Sequence, residues 1–378
     1  MIVAPQLGYE LSGGLSPGGL LQFGRCVARA IGSSPSITKL GVWCQVDKPG
    51  VEHLIEQTIR TYAHPKLELQ VRVFGGSQIK LASAVATANL RGAYDRAMYL
   101  LVNQSVLGLL PFHVPYDAWE IGEELFRRIP RIKYHALCHS DRLLSISHNT
   151  AQIAAQKNIG LPEGKVVHLC TEPPLFSRES TDECRVESPY DPTKRNQSVM
   201  IVGNMHRGLL YKGHQQLIAA WSEVIEKCPN AQLWIVGGGG DKPRLEDQAH
   251  ALPSKVSRNV IFMGRADADV LAQLYQRCRV FAMPSLREGF GLVFVEAARY
   301  GVPCIGGKHD SVKEIVLHNQ TGLLVEQEPD DIASACLQLL TDDVLARSLG
   351  EAGRKRYQET FRFCHFRERL LTTLELSL

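Results

Sequence analysis

This sequence predicts an α/β fold built as two Rossmann-like, doubly wound domains, and its length, its element rhythm and one unpatterned middle stretch carry that expectation. At 378 residues the chain exceeds one ordinary core and fits two. From Ser198 the short apolar strands SVMIVGN, AQLWIVGGGG, NVIFMG and VFAMPS alternate with the helical stretches GHQQLIAAWSEVIEKC, LEDQAHAL and VLAQLYQRC. Such alternation implies parallel βαβ crossovers, with ligands beyond the carboxyl ends of the strands. The first half repeats the rhythm less cleanly: GGLLQFGRCVARAI reads as a helix, LELQVRVFG and RAMYLLVN as strands, and DRLLSIS as a strand entering the helix NTAQIAAQKN. Between the halves, PPLFSRESTDECRVESPYDPTKRNQ has no apolar periodicity and reads as a linker. The expected division is residues 1–180, residues 181–360, and a basic amphipathic helix at 361–378 that completes the second domain or crosses back to the first.

Composition excludes several classes. Lys+Arg total 42 and Asp+Glu 39, a formal charge of +3, with 44% hydrophobic residues. The pI of about 8.3 is below that of a typical nucleic-acid binder, so no nucleic-acid partner is expected. Ten cysteines are scattered without any C-x-x-C, which argues against a zinc ribbon or redox dithiol and suits buried thiols in a reducing cytosol. The start, MIVAPQLGYELSGG, lacks the features of a signal peptide. The apolar segment Ala97–Val114 is interrupted by Asn103, Gln104, Ser105 and Pro111, and reads as buried strand and loop. A cytoplasmic protein is expected. The basic cluster Arg127–Lys133 reads as a solvated face that can instead hold an anionic acceptor or rest on acidic lipid at the inner membrane face.

The segment VFAMPSLREGFGLVFVEAARYGVPCIGG carries the most chemistry. A strand enters a loop with Pro284, Gly289 and Gly291, then a helix of about ten residues that stops at Gly301. Glu288 falls in the loop and Glu296, eight residues on, in the helix's second turn. Both lie near a helix N-terminus, where backbone N–H groups attract phosphate. A carboxylate there can accept hydrogen bonds from two neighbouring hydroxyls of a ribose or hexose. Without further context both glutamates would read as solvated helix charges. Lys212 follows the strand MIVGN and precedes a helix, so its ammonium can meet a diphosphate.

These residues resemble the signature of the retaining nucleotide-sugar glycosyltransferases of family 4: a Pro-Ser, then Glu-Gly-Phe-Gly, then a second Glu eight after the first. IVGN, Tyr211-Lys212-Gly213-His214, LWIVGGGG, VIFMGRADADVLAQLYQRC, VKEIV and TGLLV follow in family order. In the first half the resemblance rests on GGLLQFGRCVARAI, DRLLSISHNTA, and HVPYDAW, which is similar to the family's His-Gly-x-Glu-x-Trp loop. The resemblance implies the GT-B architecture, two domains with a cleft between them, with the nucleotide sugar held mainly by the second domain and the acceptor by the first.

It further implies that Glu296 holds the donor ribose, that Glu288 faces the transferred sugar, and that backbone N–H groups of Phe290, Gly291 and Leu292 cover sugar and phosphate. Backbone near Gly264 and Arg265 meets the base, and Lys212 the pyrophosphate. Where the family usually has Arg directly after Val-Gly this chain has Asn204, and Arg207 three residues later is the implied phosphate partner. Gly18 and Gly19 correspond to the family's paired glycines, with Gly13 and Gly14 as a competing pair. His113 corresponds to the active-site histidine and Asp117 to the acidic position of its loop. The implied activity is transfer, with retained configuration, from a UDP- or GDP-linked sugar to a hydroxyl of a glycan, glycolipid or small metabolite, without a metal or cofactor. A nucleotide-sugar epimerase, a phosphorylase and an inactive nucleotide-sugar-binding protein are the alternatives.

Other motifs are weak. His135 and His139 have the i, i+4 spacing of a metal-binding helix face, beside Cys138, but no third ligand is evident and a structural role is expected. The run Gly237–Gly240 follows a strand, yet Lys242 stands where G-x-G-x-x-G needs its last glycine. No P-loop motif occurs.

Overall fold

The computed structural model describes residues 1–5, 7, 19–47, 49–122, 124–171 and 190–378. The expected boundary near residue 180, Gly13, Gly14 and Gly18 lie outside the described residues. The chain divides into two compact units, one containing the described residues to 171 together with Phe361–Leu378, the other running from 190 to Thr360.

The first unit contains β1 (Ile2–Ala4), β2 (Lys39–Cys44), β3 (Glu68–Val73), β4 (Ala97–Tyr99), β5 (Tyr116–Glu120), β6 (Arg142–Ser145) and β7 (Lys165–Val166). They form one sheet in the order β3-β2-β1-β4-β5-β6-β7, and every pairing is parallel. β8 (Ser198–Val202), β9 (Gln232–Val236), β10 (Val260–Gly264), β11 (Val280–Met283), β12 (Cys304–Gly307) and β13 (Gly322–Val325) form a second parallel sheet in the order β10-β9-β8-β11-β12-β13. Each unit is therefore α/β and doubly wound, with strand order reversing between β1 and β4 in the first and between β8 and β11 in the second. Loops leaving the carboxyl ends of these strand pairs diverge, and that divergence makes room for a ligand.

Burial explains the strand composition. Both faces of these sheets are covered, so β11 reads VFAM and β1 IVA, buried throughout rather than alternating. Trp43, Tyr94, Tyr99 and Tyr116 form an aromatic part of the first core, with Trp43–Tyr94 and Tyr99–Tyr116 edge to face. Helices start where side chains cap them: Ser77, Ser147, Asp267 and Asp342 each accept from a backbone N–H in the first turn. The helix Phe363–Thr373 packs on the first unit, where Phe363 meets Tyr62 at 5.0 Å between ring centres and Arg367 Nε donates to Ser33 Oγ at 2.6 Å. Just beyond it, Ser34 Oγ donates to the Ser377 carbonyl at 2.6 Å. Among the described residues no helix is long and apolar enough to cross a membrane.

Candidate active site

In the second unit β8 and β11 are neighbours, so their outgoing loops emerge side by side. β8 leads through a 3-10 turn, Arg207–Lys212, to Gly213 and the helix His214–Lys227. β11 leads through Pro284 and Glu288 to Gly291 and the helix Leu292–Arg299. Gly213 is left-handed at φ 88°, and a Cβ there would sit 2.8 Å from the Pro284 carbonyl oxygen, so only glycine lets the loops approach this closely. Gln327 Nε2 ties them by donating to the Tyr211 and Pro284 carbonyls, both at 2.7 Å. Leu286 N–H donates to the same Tyr211 carbonyl at 2.9 Å.

This double tether brings two expected site residues, 76 positions apart, into one ion pair: Lys212 Nζ lies 2.6 Å from Glu288 Oε1. Their side chains are 17% and 12% exposed, so the pair is partly shielded from water and stronger than one on an open surface. The helix beginning at Leu292 has Gly291 at its N-cap with φ 96° and no capping side chain, which leaves an anion-attracting end beside the pair.

Glu296 stands in the second turn of that helix, as expected. The Tyr275 hydroxyl donates to its Oε2 at 3.1 Å, and Tyr275 is itself buried and stacked on Tyr300 at 5.7 Å. Burial, reinforced by the Glu296 charge, holds the Tyr275 hydroxyl well above its usual range, so it remains a donor. Tyr275 therefore orients the glutamate. Gly264 ends β10 at φ 72°, and the Arg265 side chain lies over Gly238. The glycine run has a packing reason: a Cβ at Gly237 would overlap the Gly203 carbonyl, and one at Gly239 the Met205 carbonyl.

Arg207 is not brought to the Lys212–Glu288 pair by any described contact. Its side chain is 87% exposed and its Nε lies 3.9 Å from Asp241, whose carboxylate is held at 2.7 Å by Arg244.

In the first unit His113 must be reassigned. β4 and β5 are parallel with Ala97 opposite Tyr116, so His113, three residues before β5, lies at the edge where strands begin. Ligands of such a sheet meet the opposite edge. The cause is a helical crossover, Val102–Ser105 and Val106–Leu109, between the two strands, where strand and loop were expected. Asp117 likewise belongs to a strand rather than a loop; it is buried and paired with Arg96 and Arg142, each at 3.5 Å. Burial raises its carboxyl, against the pull of these two arginines. The carboxyl at the edge where the strands end is Glu120, the last residue of β5, fully buried. Burial pushes it up to about 7.

Gly19 opens the helix Gly19–Gly32. The rings of His135 and His139 lie 3.9 Å apart, tilted by 47°, and His139 Nδ1 lies 2.8 Å from the His135 carbonyl within the helical turn. Arg127, Arg128 and Arg131 are exposed, as the solvated-face reading expects.

Comparison with solved proteins shows the fold. Sucrose-phosphate synthase from Thermosynechococcus elongatus superposes with a TM-score of 0.73 at 20% identity, covering 99% of this chain and 98% of that one. Anabaena HepE, solved in complex with UDP and glucose, gives 0.72 at 18% identity with the same coverage. The fold is the glycosyltransferase architecture GT-B. Residues 191–356, all within the second unit, match the model for glycosyl transferases group 1. The chain is also 34% identical over 172 residues to the GDP-mannose-dependent monoacylated alpha-(1-6)-phosphatidylinositol monomannoside mannosyltransferase of Corynebacterium glutamicum, covering 43% of this chain and 44% of that one. The chain thus spans less than half the length of that relative. The family-model match, residues 191–356, contains Glu288, Glu296 and Lys212, residues on which the resemblance was drawn.

Proposed function

We propose that this protein is a retaining glycosyltransferase that moves a sugar from a UDP- or GDP-linked donor to a hydroxyl acceptor. The observation that carries the reading is the Lys212–Glu288 pair beside an uncapped helix N-terminus, at the carboxyl edge of β8 and β11. A diphosphate offers Lys212 a doubly anionic partner in place of one carboxylate, and the released Glu288 can then accept hydrogen bonds from sugar hydroxyls. As the sugar–phosphate bond breaks, charge grows on the leaving oxygen where the ammonium and helix end already point. The departing phosphate takes the acceptor proton on the same face of the sugar, which retains its configuration. The first unit takes the acceptor, and the second holds the donor. Similar proteins include a GDP-mannose-dependent mannosyltransferase and one solved with UDP and glucose, and either base is compatible with the proposal.

A thermal-shift screen of UDP, GDP, ADP and their sugars tests this, since a ligand at 100 times its Kd adds roughly 2.7 kcal/mol. No shift with any of them sinks the reading. Proton NMR of the product anomer then decides retention. Glu296→Gln is expected to weaken free nucleotide and nucleotide sugar alike, by about tenfold, because a ribose contact is formed equally before and during reaction. Calorimetry with both ligands checks it, and an effect confined to turnover would contradict the ribose assignment. EDTA is expected to leave initial rates within about twofold, because the ammonium and helix end take the place of a metal on the diphosphate. Loss restored by manganese or magnesium would show otherwise.

A further inference from the structure

The turn Asp310-Ser311-Val312, directly after β12, touches the Glu288 loop at three points. The Ser311 hydroxyl donates to the Glu288 main-chain carbonyl. The Ser285 hydroxyl donates to Asp310 Oδ2 at 3.1 Å. The Val312 side chain occupies the space a Cβ at Gly306 would need, and comes within ordinary van der Waals contact, 3.6 Å, of where a Cβ at Gly291 would stand. Asp310 Oδ1 accepts from the Val312 N–H at 2.9 Å and so shapes the turn itself. Asp310 is only 2% exposed. An asparagine could accept the Val312 bond at Oδ1 and donate from Nδ2 to the Ser285 hydroxyl, at lower desolvation cost, so a carboxyl here calls for a further reason.

We propose that Asp310 is a positioning residue for the donor site, locking the turn that holds Glu288 and responding in charge to whatever occupies Lys212. It rests on the donor reading above. Burial first, and also the Glu288 charge, push the Asp310 carboxyl up to about 7, while the Val312 N–H, the Ser285 hydroxyl and the Lys212 ammonium pull it down. The other charges of its loop face away: Lys308 lies 3.3 Å from Glu326, and His309 pairs with the same carboxylate. A diphosphate on Lys212 cancels the cation that acts on Asp310 among the described residues and adds negative charge. Asp310 then holds its proton more firmly, and Glu288 stays the ionised member of the two.

In the ligand-free protein the folded state keeps this proton from about pH 4, where an unfolded aspartate loses it, to about pH 7. The native state then binds more protons than the unfolded one, so stability falls as pH rises through that window.

Three measurements on the full chain test the proposal. In thermal unfolding without ligand, the fall in Tm between pH 5 and pH 8 is expected to be shallower in Asp310→Asn than in the unaltered protein. In calorimetry at pH 7 with GDP-mannose and UDP-glucose, in two buffers of different ionisation heat, binding is expected to take up as much as about half a proton, and none in Asp310→Asn. In turnover, Asp310→Ala is expected to lose about tenfold in kcat, and Asp310→Asn to recover to within about threefold, because the amide still meets Val312 and Ser285. Equal pH slopes, equal proton uptake, or full turnover in the alanine variant each overturn the proposal. If neither nucleotide sugar binds the unaltered protein, the donor reading falls, and the ligand-free pH slopes still decide whether Asp310 titrates as stated.

Discussion

Glu288→Gln is expected to lose about 10²-fold in turnover while binding free nucleotide as well as the unaltered protein, or better. A charge-assisted hydrogen bond is worth roughly 1.5–3 kcal/mol, and one that strengthens as the sugar takes on positive character appears mainly in kcat. The second half of the expectation comes from the ion pair. In the ligand-free protein Lys212 is engaged by Glu288 at 2.6 Å, so an incoming diphosphate must displace a carboxylate. Glutamine keeps the shape and removes that competitor. Calorimetry of UDP and GDP beside initial rates separates the two effects, and weaker nucleotide binding in this variant would place Glu288 on the nucleotide rather than the sugar.

Lys212→Ala is expected to slow transfer by about 10²-fold and to weaken nucleotide binding by less, since the ammonium matters most when the leaving phosphate carries its full charge. It also leaves the mostly buried Glu288 facing the Asp310 carboxyl without a counter-charge, an arrangement that costs about 1–3 kcal/mol of stability. Adding Glu288→Gln to Lys212→Ala should restore part of that stability without restoring turnover. Such non-additivity is the signature of a pair acting as a unit. Normal turnover in Lys212→Ala removes the phosphate role altogether.

What was legible in the sequence was what local spacing controls. The eight-residue interval from Glu288 to Glu296 across a strand-loop-helix places one in the loop and one in the second turn, and the structure has both there. Strand and helix rhythm likewise sufficed for β8 to β11 of the second sheet. The supporting residues were not legible because each is a single polar side chain whose task depends on sheet order. Gln327 follows β13 yet ties the loops after β8 and β11, and Tyr275 reaches Glu296 from another helix. Asp310 sits in KHDSVKE, where no local spacing singles it out. In the first half HVPYDAWE misled for a physical reason. β5 buries Asp117 and Glu120 among Tyr116, Ala118 and Trp119, so it shows neither the polar alternation of a half-exposed strand nor the apolar run of a buried one.

The docking of Phe363–Thr373 against Tyr62 and Ser33 has a consequence for biosynthesis. The first unit is the first to leave the ribosome, yet its closing helix is translated only after every residue from 190 to 360. At about 5 to 20 residues per second that delay is on the order of 10 to 30 s, during which the apolar surface that Phe363, Phe366, Leu370 and Leu371 will cover stays open to water. The described residues of the second unit, 190 to 360, follow one another in the chain and have no such wait. Nascent chains should therefore present an incomplete first unit beside a finished second one, and chaperone capture during synthesis is expected to fall on the amino-terminal half.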